Sequence, residues 1–245
     1  MENFFLTQWY DWRVLEPSPK LVLINKILGK LGLYSRLQYP RSTGLMTNIE
    51  QRLNLYHLVS QVLAYNVPGA LVELGCHNGQ SSTVIQKIIQ HFDPSREFHV
   101  YDSFEGLPAL HEKDAGTTNF DVGQLKTTRD ALLANFKKVG LPPPTIHEGW
   151  FDKTLPTQLP PSISFAYLDG DFYESILISL QYTYPRLSKG AICLIDDYAD
   201  PAVYPAGWNL LPGVKRACDE FLADKPEKVS YIYSADMSHG FFRKL

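Results

Sequence analysis

Two apolar runs, each stopping abruptly at a pair of carboxylates, restrict this chain to a narrow set of folds. The first is Ser162-Ile-Ser-Phe-Ala-Tyr-Leu-Asp169-Gly-Asp171; the second is Ala191-Ile-Cys-Leu-Ile195, followed by Asp196-Asp197-Tyr198. Neither run alternates polar with apolar residues, which suits strands covered on both faces, as in a parallel α/β sheet. Between them Tyr173, Ile176, Leu177, Leu180, Tyr184 and Leu187 recur at helical spacing, and Gly190 is placed to end that helix. The spacing predicts a strand, a crossover helix and a second strand parallel to the first.

If the two strands are neighbours, their carboxyl ends lie about 5 Å apart. Ligands of such sheets sit beyond those ends. Asp169, Asp171, Asp196 and Asp197 then share one pocket, where unpaired carboxylates repel and push one another's pKa values up. A hard divalent cation relieves that repulsion, and Mg2+ suits a few carboxylates completed by water and substrate oxygens. The competing reading is that some of these aspartates cap helices or serve turns.

The chain has 245 residues, 44% of them hydrophobic, enough for one α/β domain with additions. A net charge of -3 and the lack of an extended basic run argue against a nucleic-acid or anionic-membrane partner. Cys76, Cys193 and Cys218 are odd in number and far apart, a pattern of reduced thiols in a cytoplasmic protein. Met1 to Thr7 lack a basic leader region, and Leu21 to Lys26 are too short and polar to span a bilayer. The expectation is a cytoplasmic protein that does not enter a membrane.

Residues 1 to about 45 are rich in aromatics (Trp9, Tyr10, Trp12), with a short helix candidate around Leu21 to Leu33. They read either as an arm or lid, packed on the main domain or a second subunit, or as a peripheral layer of the core. Thr47-Asn-Ile-Glu50 fits a capping box, followed by Ile49, Leu53, Tyr56, Val59 and Leu63 on one helical face.

Next, Ala70-Leu-Val-Glu73-Leu-Gly75 reads as a strand, a turn runs through Asn78 and Gly79, and a helix opens near Ser81. Gly75 and Gly79 would let a ligand approach the main chain, and the helix start offers N–H groups to a carboxylate or phosphate. The turn lacks the Gly-x-Gly core of the dinucleotide fingerprint.

A second strand ends at Asp102-Ser103, 29 positions after Glu73, where an acidic group suits a ribose diol; an Asx turn is the structural alternative. Residues 109–126 read as a mobile loop able to close over a ligand. A helix follows with Leu132, Leu133, Phe136 and Val139 inward, and Gly140 ends it. A short third strand leads to Gly149-Trp150, whose indole is suited to stacking on a base or to plain packing. After the fifth strand, Tyr204 and Trp208 lie on a long loop that would wall an acceptor. A helix from Val214 to Leu222 and two strands close the chain, with His239 just before the last, a position that favours a satisfied turn residue over a base.

Several stretches occur together and in order: Val-Glu73-Leu-Gly75 with Gly79, Asp102-Ser-Phe-Glu-Gly-Leu-Pro108, Gly149-Trp-Phe-Asp-Lys-Thr-Leu-Pro156, Leu-Asp169-Gly-Asp171-Phe-Tyr-Glu174-Ser and Ile-Asp196-Asp197-Tyr198. This set resembles the macrocin O-methyltransferase family over roughly residues 45 to 245. The resemblance implies a Rossmann-like class I methyltransferase fold: a mainly parallel seven-stranded sheet with helices on both faces and an antiparallel C-terminal strand. It further implies S-adenosylmethionine and Mg2+ as cofactors, a homodimer or higher homo-oligomer, and a domain at 46–245 behind an N-terminal arm at 1–45.

Carried over by motif, Asp169, Asp196 and Asp197 would hold the metal, and Asp171 would act as general base beside Asp169. Glu73, Gly75, Asp102 and Ser103 would hold the methionine and ribose ends of the cofactor, Asn78 and Ser81 would line its turn, and Gly149 and Trp150 would lie near the adenine. The expected reaction is methyl transfer to one hydroxyl of a vicinal diol on a small natural product such as a glycosylated secondary metabolite. Two other readings stand beside it. One is a metal-dependent glycosyltransferase using the Asp-x-Asp run, the other a non-catalytic scaffold.

Overall fold

In the computed structural model the described residues are 19–32, 47–117, 120–205, 207–235 and 237–245. The chain divides into two compact units, Met1–Met46 and Thr47–Leu245. The first contains helix α1, Pro19–Lys30, on which Leu23, Ile24 and Ile27 are exposed. Trp9, Tyr10 and Trp12, expected to form an arm, lie outside the described residues.

The second unit opens with α2, Ile49–Ala64. Its cap sits one residue later than Thr47-Asn-Ile-Glu50 suggests: the Asn48 side chain accepts from the Gln51 N–H, and Gln51 returns the bond to the Asn48 backbone. The inward face matches the expected one except at its first residue. Of the residues expected on that face, Val59 and Leu63 are buried and Leu53 and Tyr56 half-buried, while Ile49, in the first turn, is exposed; Gln51, Leu55, Leu58 and Val62 widen the buried stripe.

Elements then alternate: β1 (Ala70–Leu74), α3 (Gln80–Phe92), β2 (Phe98–Asp102), α4 (Arg129–Val139), β3 (Thr145–Glu148), α5 (Phe151–Gln158), β4 (Ile163–Leu168), α6 (Tyr173–Thr183), β5 (Leu187–Asp196), α7 (Pro212–Phe221), β6 (Ser230–Ile232) and β7 (His239–Arg243). Among the described residues they form one seven-stranded sheet in the order β3-β2-β1-β4-β5-β7-β6. β1 to β5 are mutually parallel, and β7 is antiparallel to both β5 and β6. The fully buried residues of β1 and β4 explain their unbroken apolar runs. Strand order reverses between β1 and β4; right-handed crossovers leading away from that point put helices on both faces and open a crevice at the strand tips.

Three local details differ from expectation. Gly190 does not end α6: Pro185 closes that helix through a 3-10 turn at Tyr184–Arg186, and β5 already starts at Leu187. Gly190 instead sits inside β5 with φ 84°, where the pairing with β4 slips from Ile163↔Leu187 to Phe165↔Ile192. Helix α5, with Pro156 inside it, was not visible as a period because it is only 8 residues long. On α4 only Leu132 and Phe136 are buried, and Val139 is exposed.

Within the segment expected to be a mobile loop, residues 111–115 are anchored to the rest of the domain. Buried Asp114 accepts from the backbone N–H of Tyr173 at 2.8 Å and of His111 at 3.0 Å, and Arg216 donates to the carbonyls of Lys113 and Ala115. Asp114 thereby caps α6, whose own N-cap, Phe172, has no side-chain acceptor.

Candidate active site

The tips of β1 and β4 meet at the switch point. Asp169 N–H donates to the Leu74 carbonyl at 2.8 Å, and Gly75 N–H donates to Tyr101 at 2.8 Å, so the ladder continues past the last strand residues. Beyond it, Asp171 (φ 60°) and Asp197 (φ 54°) both hold left-handed backbone that costs an L residue energy. One carboxylate oxygen from each of Asp169, Asp171 and Asp197 falls within 4.8 Å of the others. Asp196 is the charge that acts most strongly on all three.

Burial and this mutual repulsion raise every carboxyl of the trio. Asp169 and Asp197 move well above the usual range, and Asp171, desolvated and facing the charges of Asp196 and Asp102, is pushed up to about 7. The Asp197 Oδ1 atom is buried and has no hydrogen-bond partner among the described residues. An all-oxygen donor set with an unpaired buried carboxylate oxygen and excess negative charge fits a hard divalent cation. Tyr167 of β4 adds a buried hydroxyl that has no partner among the described residues and is held against the same negative charges.

On β1, Glu73 is fully buried, and both of its carboxylate oxygens accept hydroxyl hydrogen bonds, one from Ser81 and one from Ser82 at 2.5 Å. Burial outweighs those bonds and pushes Glu73 up to about 7. Ser81, a candidate cofactor contact, is thus engaged inside the protein. At the turn itself, the His77 and Asn78 side chains are half-buried neighbours that interact with each other.

Asp102 forms the Asx turn that was the structural alternative at its position and also ties two strand tips together. Its Oδ1 accepts from Phe104 N–H at 2.7 Å, an Asx turn, while Oδ2 accepts from His77 N–H at 2.7 Å and links the β2 tip to the β1 turn. The Ser103 hydroxyl accepts from Glu105 N–H at 3.1 Å. Gly149 N–H bonds the Asp102 carbonyl at 2.9 Å and brings in Trp150, whose ring lines an open cavity of about 300 Å³ with Glu105, Leu107 and Val122.

Residues that sequence reasoning did not connect stand behind Asp196. His239 is the first residue of β7 rather than a turn residue, is 1% exposed, and places Nε2 2.6 Å from Asp196 Oδ1. Gln51 of α2 donates to the same oxygen at 3.0 Å. Separations of 43 and 145 positions left no local pattern to find. On the other side, Phe120 lies edge-on to Phe172, the neighbour of Asp171, and to Trp208, the expected wall residue.

The macrocin-O-methyltransferase (TylF) family profile matches residues 34–244. The 8-demethyl-8-(2,3-dimethoxy-alpha-L-rhamnosyl)-tetracenomycin-C 4'-O-methyltransferase of Streptomyces olivaceus is 36% identical over 169 residues, 66% of this chain and 65% of that enzyme. The match therefore spans just under two thirds of that relative's length. The mycinamicin III 3''-O-methyltransferase of Micromonospora griseorubida is 32% identical over 174 residues, 67% of this chain and 68% of the other. Among solved structures, that of the O-methyltransferase NovP superposes with a TM-score of 0.67 at 25% identity, covering 92% of this chain and 98% of its own.

Proposed function

This chain belongs to the macrocin O-methyltransferase family, and on that premise we propose that it methylates a sugar hydroxyl of a glycosylated natural product, using S-adenosylmethionine and Mg2+. The observation that carries the reading is the convergence of Asp169, Asp171 and Asp197 at the β1–β4 switch point, with Asp197 Oδ1 buried and unpaired. The relatives' names specify methylation of a rhamnosylated tetracenomycin at 4' and of mycinamicin III at 3''. They support a glycosylated acceptor, and a vicinal diol suits a cation that takes two adjacent oxygens. Family membership disfavours the glycosyltransferase and scaffold readings.

In this reading Asp169, Asp196 and Asp197 hold Mg2+, which when bound supplies Lewis-acid polarisation and a template for the acceptor. Asp171 takes the proton of the hydroxyl being methylated. Its pKa, pushed up to about 7, is matched to general-base work near neutral pH. Glu73, Gly75, Asp102 and Ser103 would hold the methionine and ribose ends of the cofactor, Asn78 and Ser81 would line its turn, and Gly149 and Trp150 would lie near the adenine. The same reading makes residues 1–45 an arm in a cytoplasmic homo-oligomer. Among the described residues no helix is long and apolar enough to cross a membrane.

One observation favours a variant of this scheme: the converging trio includes Asp171 and not Asp196, which would make Asp171 a ligand instead of the base. Calorimetric titration with S-adenosylmethionine and with Mg2+ tests both. Binding of each to the wild type, with the Mg2+ signal lost in Asp196→Asn and kept in Asp171→Asn, supports the base assignment. Loss in Asp171→Asn alone supports the variant. Absence of both signals from the wild type sinks the functional reading.

A further inference from the structure

His239 has both ring nitrogens engaged and is shut off from solvent, so it cannot meet a substrate. Its surroundings define what it does instead. Asp196 and His239 are register partners across β5 and β7, with their side chains on one face of the sheet. From α2, Gln51 Nε2 reaches Asp196 Oδ1 at 3.0 Å, and Asn54 Nδ2 lies 3.2 Å from His239 Nδ1.

Both amides are oriented by backbone groups that have only one role to play. Gln51 Oε1 accepts from Asn48 N–H at 2.9 Å, the return bond of the α2 capping box, so its NH2 faces Asp196. Asn54 Nδ2 donates to the Tyr233 carbonyl at 2.9 Å, so this end is the amide nitrogen; its second hydrogen is shared between Ser234 Oγ and His239 Nδ1, both at 3.2 Å, and it offers Nδ1 a donor and no acceptor. With Nδ1 accepting, the neutral imidazole carries its proton on Nε2 and donates it to Asp196 Oδ1. That oxygen therefore receives two donors, while Asp196 Oδ2 receives none among the described residues.

We propose that His239, held as the Nε2–H tautomer by Asn54 and acting together with Gln51, is a positioning residue that saturates Asp196 Oδ1 and leaves Oδ2 to bind the divalent cation. The inference rests on the metal-dependent reading above. It makes the start of α2, remote in sequence, part of the support for the metal ligand, an arrangement that orients a carboxylate and sets its basicity.

Nitrogen-15 NMR of imidazole-labelled, metal-free wild type at pH 8 tests the tautomer without any substitution. A protonated Nε2 with a bare Nδ1 is expected; a protonated Nδ1 overturns the proposal. Calorimetric Mg2+ titration then compares His239→Gln, whose amide can replace the Nε2 donor, with His239→Asn, whose shorter amide replaces only the Nδ1 end. His239→Asn should weaken Mg2+ about 10- to 100-fold, and His239→Gln should restore most of that loss, with S-adenosylmethionine affinity unchanged in both as the check on folding. Equal Mg2+ affinities in the two variants overturn positioning while wild-type binding leaves the functional reading intact. A wild type that binds no Mg2+ overturns that reading and this inference with it.

Discussion

Gly75 lies so close to Asp169 that a Cβ on it would come 1.8 Å from the Asp169 carbonyl oxygen. The obstacle is backbone, and Gly75 also has φ 93°, so no side-chain movement relieves the contact. The first tip of the site and the tip bearing the acidic run are thus joined through a glycine.

Gly75→Ala is expected to cost more than about 3 kcal/mol of stability, from left-handed strain plus the clash. Gly140→Ala is the control: its φ is also positive, at 70°, but nothing lies within 4 Å of the added methyl. It should cost about 1 kcal/mol. Urea denaturation of the two variants measures the difference, and equal losses would remove the close approach as the cause.

Asp171→Asn should lower kcat by about 10²- to 10⁴-fold, the range of a lost general base. KM for S-adenosylmethionine should change little. Single-turnover methylation of a diol glycoside, followed by mass spectrometry, provides the measurement, and a variant with unchanged kcat would exclude Asp171 as the base.

Metal-free protein should lose stability as pH rises from about 4 to about 7. Asp171 and Glu73 both have folded-state pKa values pushed up to about 7, above their unfolded values, so the folded state holds these protons longer and its ionisation is penalised. Added Mg2+ should oppose the loss, by about 2.7 kcal/mol at a hundred times its Kd. Melting curves across this pH range, with EDTA and then with Mg2+, test both signs.

Glu227 gives the opposite pH dependence. Burial raises its pKa, but hydrogen bonds from Lys244, Tyr184 and the Leu245 N–H prevail and hold it at about 2. Its contribution is present above about pH 4.5 and is lost as pH falls toward 2, on the order of 3 kcal/mol at most. Glu227→Gln should therefore destabilise the protein at pH 7 and make little difference near pH 2.

Asp114→Ala strips the cap from α6 and leaves the Tyr173 N–H buried without an acceptor. A loss of about 2 to 3 kcal/mol is expected, along with faster proteolytic cutting between residues 103 and 126. Wild-type cutting rates would show that the anchor at Asp114 does not hold this segment.

What was legible in the sequence was periodic or adjacent. Unbroken apolar runs ending in Asp169-Gly-Asp171 and Asp196-Asp197 marked buried parallel strands with charged tips, and the crossover between them fixed their direction. The Asp102 and Gly149 tips followed from the same strand-end logic. Helix α5 escaped because 8 residues hold barely two turns, and the α2 cap was read one residue early because Thr47 and Asn48 both suit the motif. Gly190, interpreted as a helix end, belongs to a strand irregularity whose partner residues lie on β4.

Sequence alone determined which residue types reach the strand ends, because hydrophobic period and turn chemistry act between near neighbours. Only the tertiary structure decided which carboxylates converge and which one is held from behind. Hydrogen bonds among Gln51, Asn54, Asp196 and His239 depend on α2 meeting the antiparallel insertion of β7 beside β5, and no local propensity encodes a contact between groups brought together by the packing of the whole sheet.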